Sequence, residues 1–343
     1  MKTIKKVLVL LCVAAFILSV PFAGAKDLPP APAFESTAAM DDEGTVKPIA
    51  KAEKPIRIAV LGLENNPFWI PVKDGAQKAG AELKAFNGTV DWIVPGDQHT
   101  TEVFGSAIEA AIVQKYDAIA TVAGDSGLVP YINKAVAAGI PVATFNVETA
   151  EKNKRLFFVG ADLYQQGLAA GKVVADALNK KGKVAIITGF FAVEGHELRR
   201  KGFIEALKKE APEITIVGEV ESSDKSDVAY TQTRDFITAN PDLAAVFVAA
   251  GGQFGAGNAV KDAGKGGQIK VVCYDFVDEV MRLIKAGVIT GTISQDPYAQ
   301  GHDPAIRLFN YLVSGTAPAA GKLLTKSDLV MKENIDKYWQ EPK

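Results

Sequence analysis

From residue 56 onward, short β-branched runs alternate with amphipathic stretches along most of the chain. The run 56–61 (Ile-Arg-Ile-Ala-Val-Leu) reads as a strand, and Ala76, Ala79, Leu83 and Phe86 then fall on one face of a helix. Further strands are predicted at 90–94, 118–122 and 141–145, with helices over 102–114 and 129–138 between them. A second series follows, with a strand at 156–159, a helix over 167–178, and strands at 184–188, 215–220, 245–249 and 270–274. Apolar runs alternating with helices in this way mark βα units and buried, mainly parallel sheets. The two series predict an α/β protein of two similar doubly wound lobes in tandem. Open sheets of this kind bind ligands outside the carboxyl ends of their strands, which directs attention to the residues just after each one.

The pattern ahead of residue 56 is different. Lys2, Lys5 and Lys6 precede an apolar run over 7–20 and then Ala23-Gly24-Ala25. This is the layout of a secretory signal peptide over 1–25, so the mature chain is expected to begin near Lys26 and to be exported to the periplasm. Cys12 is not read as a lipid acceptor, because Leu11 precedes it instead of a small residue and apolar sequence continues beyond it. No later stretch approaches the uninterrupted apolar length of a membrane-spanning helix. Residues 26–55 are rich in Pro, Ala and mixed charge without an apolar period, and a flexible linker is expected there.

Composition narrows the partners. With the signal peptide removed, Cys273 is the remaining cysteine, which excludes an intramolecular disulfide. A chain of 343 residues with 48% hydrophobic content can form two cores. A net charge of -2, with basic residues scattered among acids, gives no footprint for nucleic acid and fits a small neutral or weakly charged ligand.

After the first strand comes Glu64-Asn65-Asn66-Pro67-Phe68-Trp69, and then Lys73-Asp74-Gly75-Ala76 in the first helix. This stretch resembles the ribose-binding branch of the type I periplasmic binding proteins, and the similarity runs from about Ile56 to about Ser314. The resemblance implies two Rossmann-like lobes with mainly parallel sheets, joined by a three-segment hinge with hinge points near Ala161, Asp275 and Gln295. It divides the chain into a lobe of 56–161 plus 296–325 and a lobe of 162–295 plus 326–343. It further implies a binding protein of an ABC importer that captures a sugar or sugar-like molecule without cofactor or metal. Such a protein delivers its ligand to a permease in the inner membrane or presents it to a chemoreceptor.

Seven residues carry the implied site. Asn66 offers donor and acceptor to a hydroxyl, and Phe68 and Trp69 offer flat faces to the C–H side of a sugar ring, although the two aromatics read equally as core plugs beneath a helix. Arg199, before Gly202-Phe203, matches the family's ligand-binding arginine; its alternative is an ion pair with Glu197 or Glu205. Asp275, after Tyr274, matches an aromatic-Asp pair, its alternative being a helix N-cap. Gln295, in Ile293-Ser294-Gln295-Asp296-Pro297, matches a hinge-side glutamine, and Asn146 stands at a further ligand position.

Departures from the family pattern bear on the ligand. Asn146-Val147-Glu148 stands where the ribose-binding pattern has Asp-Arg, Val122 where it has Asn, and Ala249-Ala250-Gly251-Gly252-Gln253 where it has Asn-Asp. Each lost partner leaves a ribose hydroxyl unpaired on burial at about 1 to 3 kcal/mol, so another sugar, a polyol, a nucleoside or a furanosyl signal molecule is expected instead.

Two motifs point elsewhere. Gly124-Asp125-Ser126-Gly127 copies the tetrapeptide around a serine-protease nucleophile, but Leu128-Val129 follows where that pattern has Gly-Pro, and the α/β alternation is foreign to it. Gly255-Ala256-Gly257-Asn258-Ala259-Val260 lacks the third small residue of a dinucleotide fingerprint and falls late in the second series. Both read as turns that start helices, and His99, His196 and His302 read as ordinary surface or polar residues. An exported enzyme using the same cleft is the competing class. It needs a base, nucleophile or cofactor loop that these motifs do not supply.

Overall fold

The structure is a computed structural model that describes residues 30–98 and 100–342. The signal peptide, Cys12, residues 26–29 and His99 lie outside the described residues. Strands β1 (Thr37–Ala39), β2 (Ile56–Leu61), β3 (Gly88–Ile93), β4 (Ala118–Ala123), β5 (Val142–Glu148) and β6 (Phe157–Gly160) come first, with helices α1 (Trp69–Leu83), α2 (Thr101–Val113) and α3 (Val129–Ala137) between β2 and β5. Helix α4 (Leu163–Ala177) leads to β7 (Lys181–Thr188), α5 (Glu194–Glu210), β8 (Glu213–Glu221), α6 (Ser226–Ala239) and β9 (Leu243–Val248). Then come α7 (Gln253–Asp262), β10 (Lys270–Tyr274), α8 (Asp278–Lys285), β11 (Gly291–Ile293), α9 (Pro297–Ser314), β12 (Lys322–Leu324) and β13 (Leu329–Met331).

The strands form two sheets, ordered β1-β12-β6-β5-β4-β2-β3 and β13-β11-β10-β9-β7-β8. All pairings are parallel except that of β11 with β13. The strands read from β-branched runs are present, each with ends within three residues of the expected ones. Helix α4 starts four residues earlier than its apolar pattern suggests, because Asp162 caps it through Gln165 N–H at 3.0 Å and its first turn buries Gln166, a polar residue.

The chain crosses between the sheets three times, at 161–162, 294–296 and 325–328. Asp275, expected near a hinge point, instead directly follows β10 of the second sheet; the third crossing follows β12. After the second crossing, α9 returns to lie on α1. The two backbones approach so closely that a Cβ on Gly75 would collide with the Tyr298 carbonyl, and one on Gly301 with that of Val72.

The segment read as a free linker is a strap on the first lobe from residue 30 onward. Strand β1 pairs with β12, Met40, Val46 and Ala52 are buried, and Ala52 N–H donates to Phe86 O at 2.9 Å. The rest of the strap is held by polar groups on α9. Asp303 accepts from Gly44 N–H at 3.1 Å, Asn310 bonds both Ile49 N–H and Lys47 O, and Arg307 pairs with Asp42. Under the strap, Arg155 is buried against the Phe34 ring and ion-paired with Glu148, and it donates to Gly321 O at 2.7 Å. Isolated anchors and backbone-to-side-chain bonds leave no periodic signal, which is why composition alone reads as disorder.

Met40 tests this difference, since it is 4% exposed. Met40→Ala should lower unfolding stability by about 2 kcal/mol in urea titration. A free linker would show no change.

Candidate functional site

A cavity of about 210 Å³ opens between the two sheets, where the carboxyl ends of β2, β5, β8, β9 and β10 meet. It is lined by all seven residues singled out in the sequence: Asn66, Phe68, Trp69, Asn146, Arg199, Asp275 and Gln295. The rule that strand ends carry the site explains why they converge.

On the first-lobe side, Asn66 follows β2 and its side-chain oxygen accepts from Phe68 N–H at 3.0 Å, setting the turn that opens α1. Phe68 and Trp69 pack edge to face at 5.3 Å. At 9% and 2% exposure they belong to the core and the cavity wall at once, so the two readings of these aromatics are not exclusive. Asn146 has a left-handed backbone (φ 66) and donates to Gln300 Oε1 at 3.0 Å. Val147 beside it also lines the cavity, whereas Glu148 is turned away to Arg155.

On the second-lobe side, Arg199 is 5% exposed and makes no ion pair with Glu197 or Glu205. Glu197 is paired with Arg200, and Glu205 accepts from Tyr164. Its Nε and Nη2 donate to Gln166 Oε1 at 3.0 and 2.9 Å, and Nη1 to Ala249 O at 3.2 Å. The guanidinium lies 3.8 Å over the Tyr274 ring. Three of its five N–H groups are so used, leaving two for another partner. Burial pulls this group below the usual arginine value, opposed by Tyr274, Asp275 and Asp224.

Asp275 does not cap α8, whose cap is Val277 without a side-chain bond. Its Oδ1 accepts from Gln295 Nε2 at 2.7 Å and its Oδ2 from Gln253 Nε2 at 3.4 Å, while burial raises its pKa against the pull of Arg199. Gln295 Oε1 is buried with no hydrogen-bond partner among the described residues, so it is free to accept from a hydroxyl.

His196, Asp224 and Gln253 also line the cavity, and sequence reasoning did not place them there. Gln253 and Asp224 follow β9 and β8, so the strand-end rule applied to every strand would have found them. His196 accepts from Phe190 N–H on Nδ1 at 3.1 Å, which puts its proton on Nε2. Burial and the Arg199 charge hold its pKa down at about 3. His302 is a correction of another kind: it is fully buried against Asp303 at 2.8 Å, far from a surface role. The protease-like tetrapeptide is a turn in which Asp125 accepts from Gly127 N–H at 2.8 Å, and the dinucleotide-like stretch is the body of α7, entered through Gly252 at φ 109.

Residues 58–316 match the family described as periplasmic binding protein domain. The chain belongs to that family. It is similar to the xylose/arabinose-binding protein XylF of Sulfolobus acidocaldarius, at 25% identity over 80% of this chain and 70% of the relative. The D-ribose/D-allose-binding protein of Pseudomonas aeruginosa is 28% identical over 71% of this chain and 77% of the relative. Among solved structures, a periplasmic solute-binding protein of an ABC transporter from Actinobacillus succinogenes, with bound D-allose, superposes with a TM-score of 0.73. It is 28% identical and covers 83% of this chain and 100% of its own. The family's two-lobed, mainly parallel α/β fold is therefore the fold of this chain, and the strap of residues 30–55 precedes the matched region.

The partly buried imidazole of His196 gives a pH test. An unfolded histidine has a pKa near 6.5, whereas loss of water and the Arg199 charge push that of His196 down to about 3. Between these values only the unfolded chain takes the proton, so this contribution to stability is full above about pH 6.5 and is lost as pH falls toward 3. Asp275, with a raised pKa, acts in the opposite sense, so a variant comparison is needed. His196→Asn should lose less stability than the parent between pH 7 and pH 4.5 in urea titrations. Identical pH dependence would show that the imidazole is not held neutral.

Proposed function

We propose that this protein is the extracytoplasmic substrate-binding protein of an ABC importer, capturing a monosaccharide or related polyol between its lobes and delivering it to an inner-membrane permease. The observation that carries this reading is the convergence of Asn66, Asn146, Arg199, Asp275 and Gln295 from both lobes, with two aromatics, on one small cavity. Relatives named for xylose, arabinose, ribose and allose support the ligand class.

The polar groups suit hydroxyls. Asp275 offers acceptor oxygens, Arg199 retains two donors, Gln295 retains an acceptor, and Phe68 and Trp69 offer apolar aromatic surface to the C–H side of a sugar. Val147 and Ala250 occupy lining positions where the ribose-binding pattern is polar, which supports a ligand other than ribose. The three short crossings are the hinge about which 56–161 with 296–325 closes on 162–295 with 326–343. Residues 30–55 move with the first of these bodies because they are packed on it.

Thermal-shift screening of D-xylose, L-arabinose, D-ribose, D-allose, D-glucose and xylitol should yield a hit, with ribose weak. Micromolar ribose binding would contradict the reading of Val147 and Ala250, and a hit confined to amino acids would overturn the sugar class. On the best sugar, Asp275→Asn should weaken binding by about ten- to a hundredfold in calorimetry, the worth of one charged hydrogen bond. Small-angle scattering should record a smaller radius of gyration at saturation, and an unchanged radius would count against hinge closure.

A further inference from the structure

Gln166 lies outside the cavity lining and is 1% exposed, on the first turn of α4. Its amide touches two places at once. Oε1 accepts both Nε and Nη2 of Arg199, at 3.0 and 2.9 Å. Nε2 donates to Ser294 O and to Ser327 Oγ, each at 2.8 Å. Ser294 belongs to the second crossing between the lobes and Ser327 to the third, and α4 itself follows directly on the first.

Chemistry fixes the orientation of this amide. Arg199 can only donate and the Ser294 carbonyl can only accept, so the oxygen must face the guanidinium and the nitrogen the crossings. Turning the amide over would place donors against donors and an oxygen against an oxygen, at a side chain that is itself buried. Its two lone pairs and two N–H groups are all engaged. Backbone packing brings the parts within reach: a Cβ on Gly167 would collide with the Arg199 carbonyl, so the backbones of α4 and α5 lie in direct contact there.

The crossings are cross-linked in turn. Ser294 N–H donates to Asp328 O at 2.9 Å, Asp328 N–H to Ser294 Oγ at 2.8 Å, and Thr325 N–H to Gly160 O at 3.0 Å. The amide of Gln166 therefore joins the guanidinium directly to the second and third crossings, which are bonded to each other and to the end of β6.

We propose that Gln166 is a positioning residue that couples the ligand-facing guanidinium of Arg199 to the hinge, aligning the second and third crossings according to how Arg199 is held. The inference rests on reading the cavity as the ligand site. A ligand that engages the two remaining N–H groups of Arg199 fixes the plane of the guanidinium, hence the amide of Gln166, hence the spacing of the crossings. Without Gln166 the cavity and hinge would remain, but occupation of one would no longer bias the other.

Hydrogen exchange on the full ligand-free mature protein tests the coupling without needing a ligand. The amides of Ser294, Thr325 and Asp328 are read, with those of β2 as reference. Gln166→Met removes both halves of the relay. Gln166→Glu keeps an acceptor for Arg199 but loses the donors to the crossings. Both should speed exchange of the three amides about tenfold, the effect of about one hydrogen bond, with β2 unchanged. Arg199→Met and the charge-retaining Arg199→Lys should do the same, although Arg199 bonds none of the three. The double variant Gln166→Met/Arg199→Met should exchange no faster than Gln166→Met alone. Wild-type exchange in both Arg199 variants, or additive acceleration in the double variant, would overturn the proposal. Because no sugar is present, a failed sugar screen would sink the proposed ligand class and leave this comparison standing, and the reverse also holds.

Discussion

Two sheets joined by three adjacent crossings face a constraint that orders the rest of the molecule. The second crossing is buried at Ser294 and Gln295 and the third at Thr325, and backbone N–H and C=O groups shut off from water there need partners. Side chains supply part of them, beside backbone bonds such as Ser294 N–H to Asp328 O. Gln166, Thr325 and Gln300 each reach a carbonyl or hydroxyl of a crossing, at 2.6 to 2.9 Å. Gln300 also holds Asn146, and Gln166 also holds Arg199. The polar network that satisfies the hinge is thus the same network that orients the cavity.

That economy has an electrostatic side. Arg199 and Asp275 are both buried and both pulled toward neutrality by loss of water, each partly restored by the other's charge. Asp224, held by Gly251 N–H at 2.9 Å, adds to the acidic character of the second-lobe wall. Such a wall suits neutral hydroxyl compounds, whose oxygens accept from Arg199 while their O–H groups donate to the carboxylates.

How far the sequence could be read depended on whether a residue's role was local. Buried parallel strands announce themselves because both faces need apolar, β-branched residues, so β2 and β10 were legible to the residue. Site residues at strand ends were legible for the same topological reason. Gln166 was not, because a glutamine on the buried face of a helix interrupts the apolar pattern and even hides the start of α4. The strap was opaque for a related reason: Gly44, Ile49 and Lys47 are held through backbone atoms, which any residue possesses. Glu148, read as part of an altered ligand subsite, proved to be the partner of Arg155 seven residues on, a pairing that spacing alone does not announce.

Strand β1 also changes what the first sheet offers to its surroundings. With the strap in place, the sheet ends in three residues, Thr37–Ala39, instead of presenting β12 and, beyond its short span, β6. An open, apolar edge such as Phe157–Gly160 is a template onto which another chain can add a strand, and natural sheets guard against this with short or charged borders. Glu35 and Lys322, paired at the border, place charge beside it. A segment that looks like spacer in sequence therefore gives the first sheet a short border with charge beside it, in place of a longer apolar one.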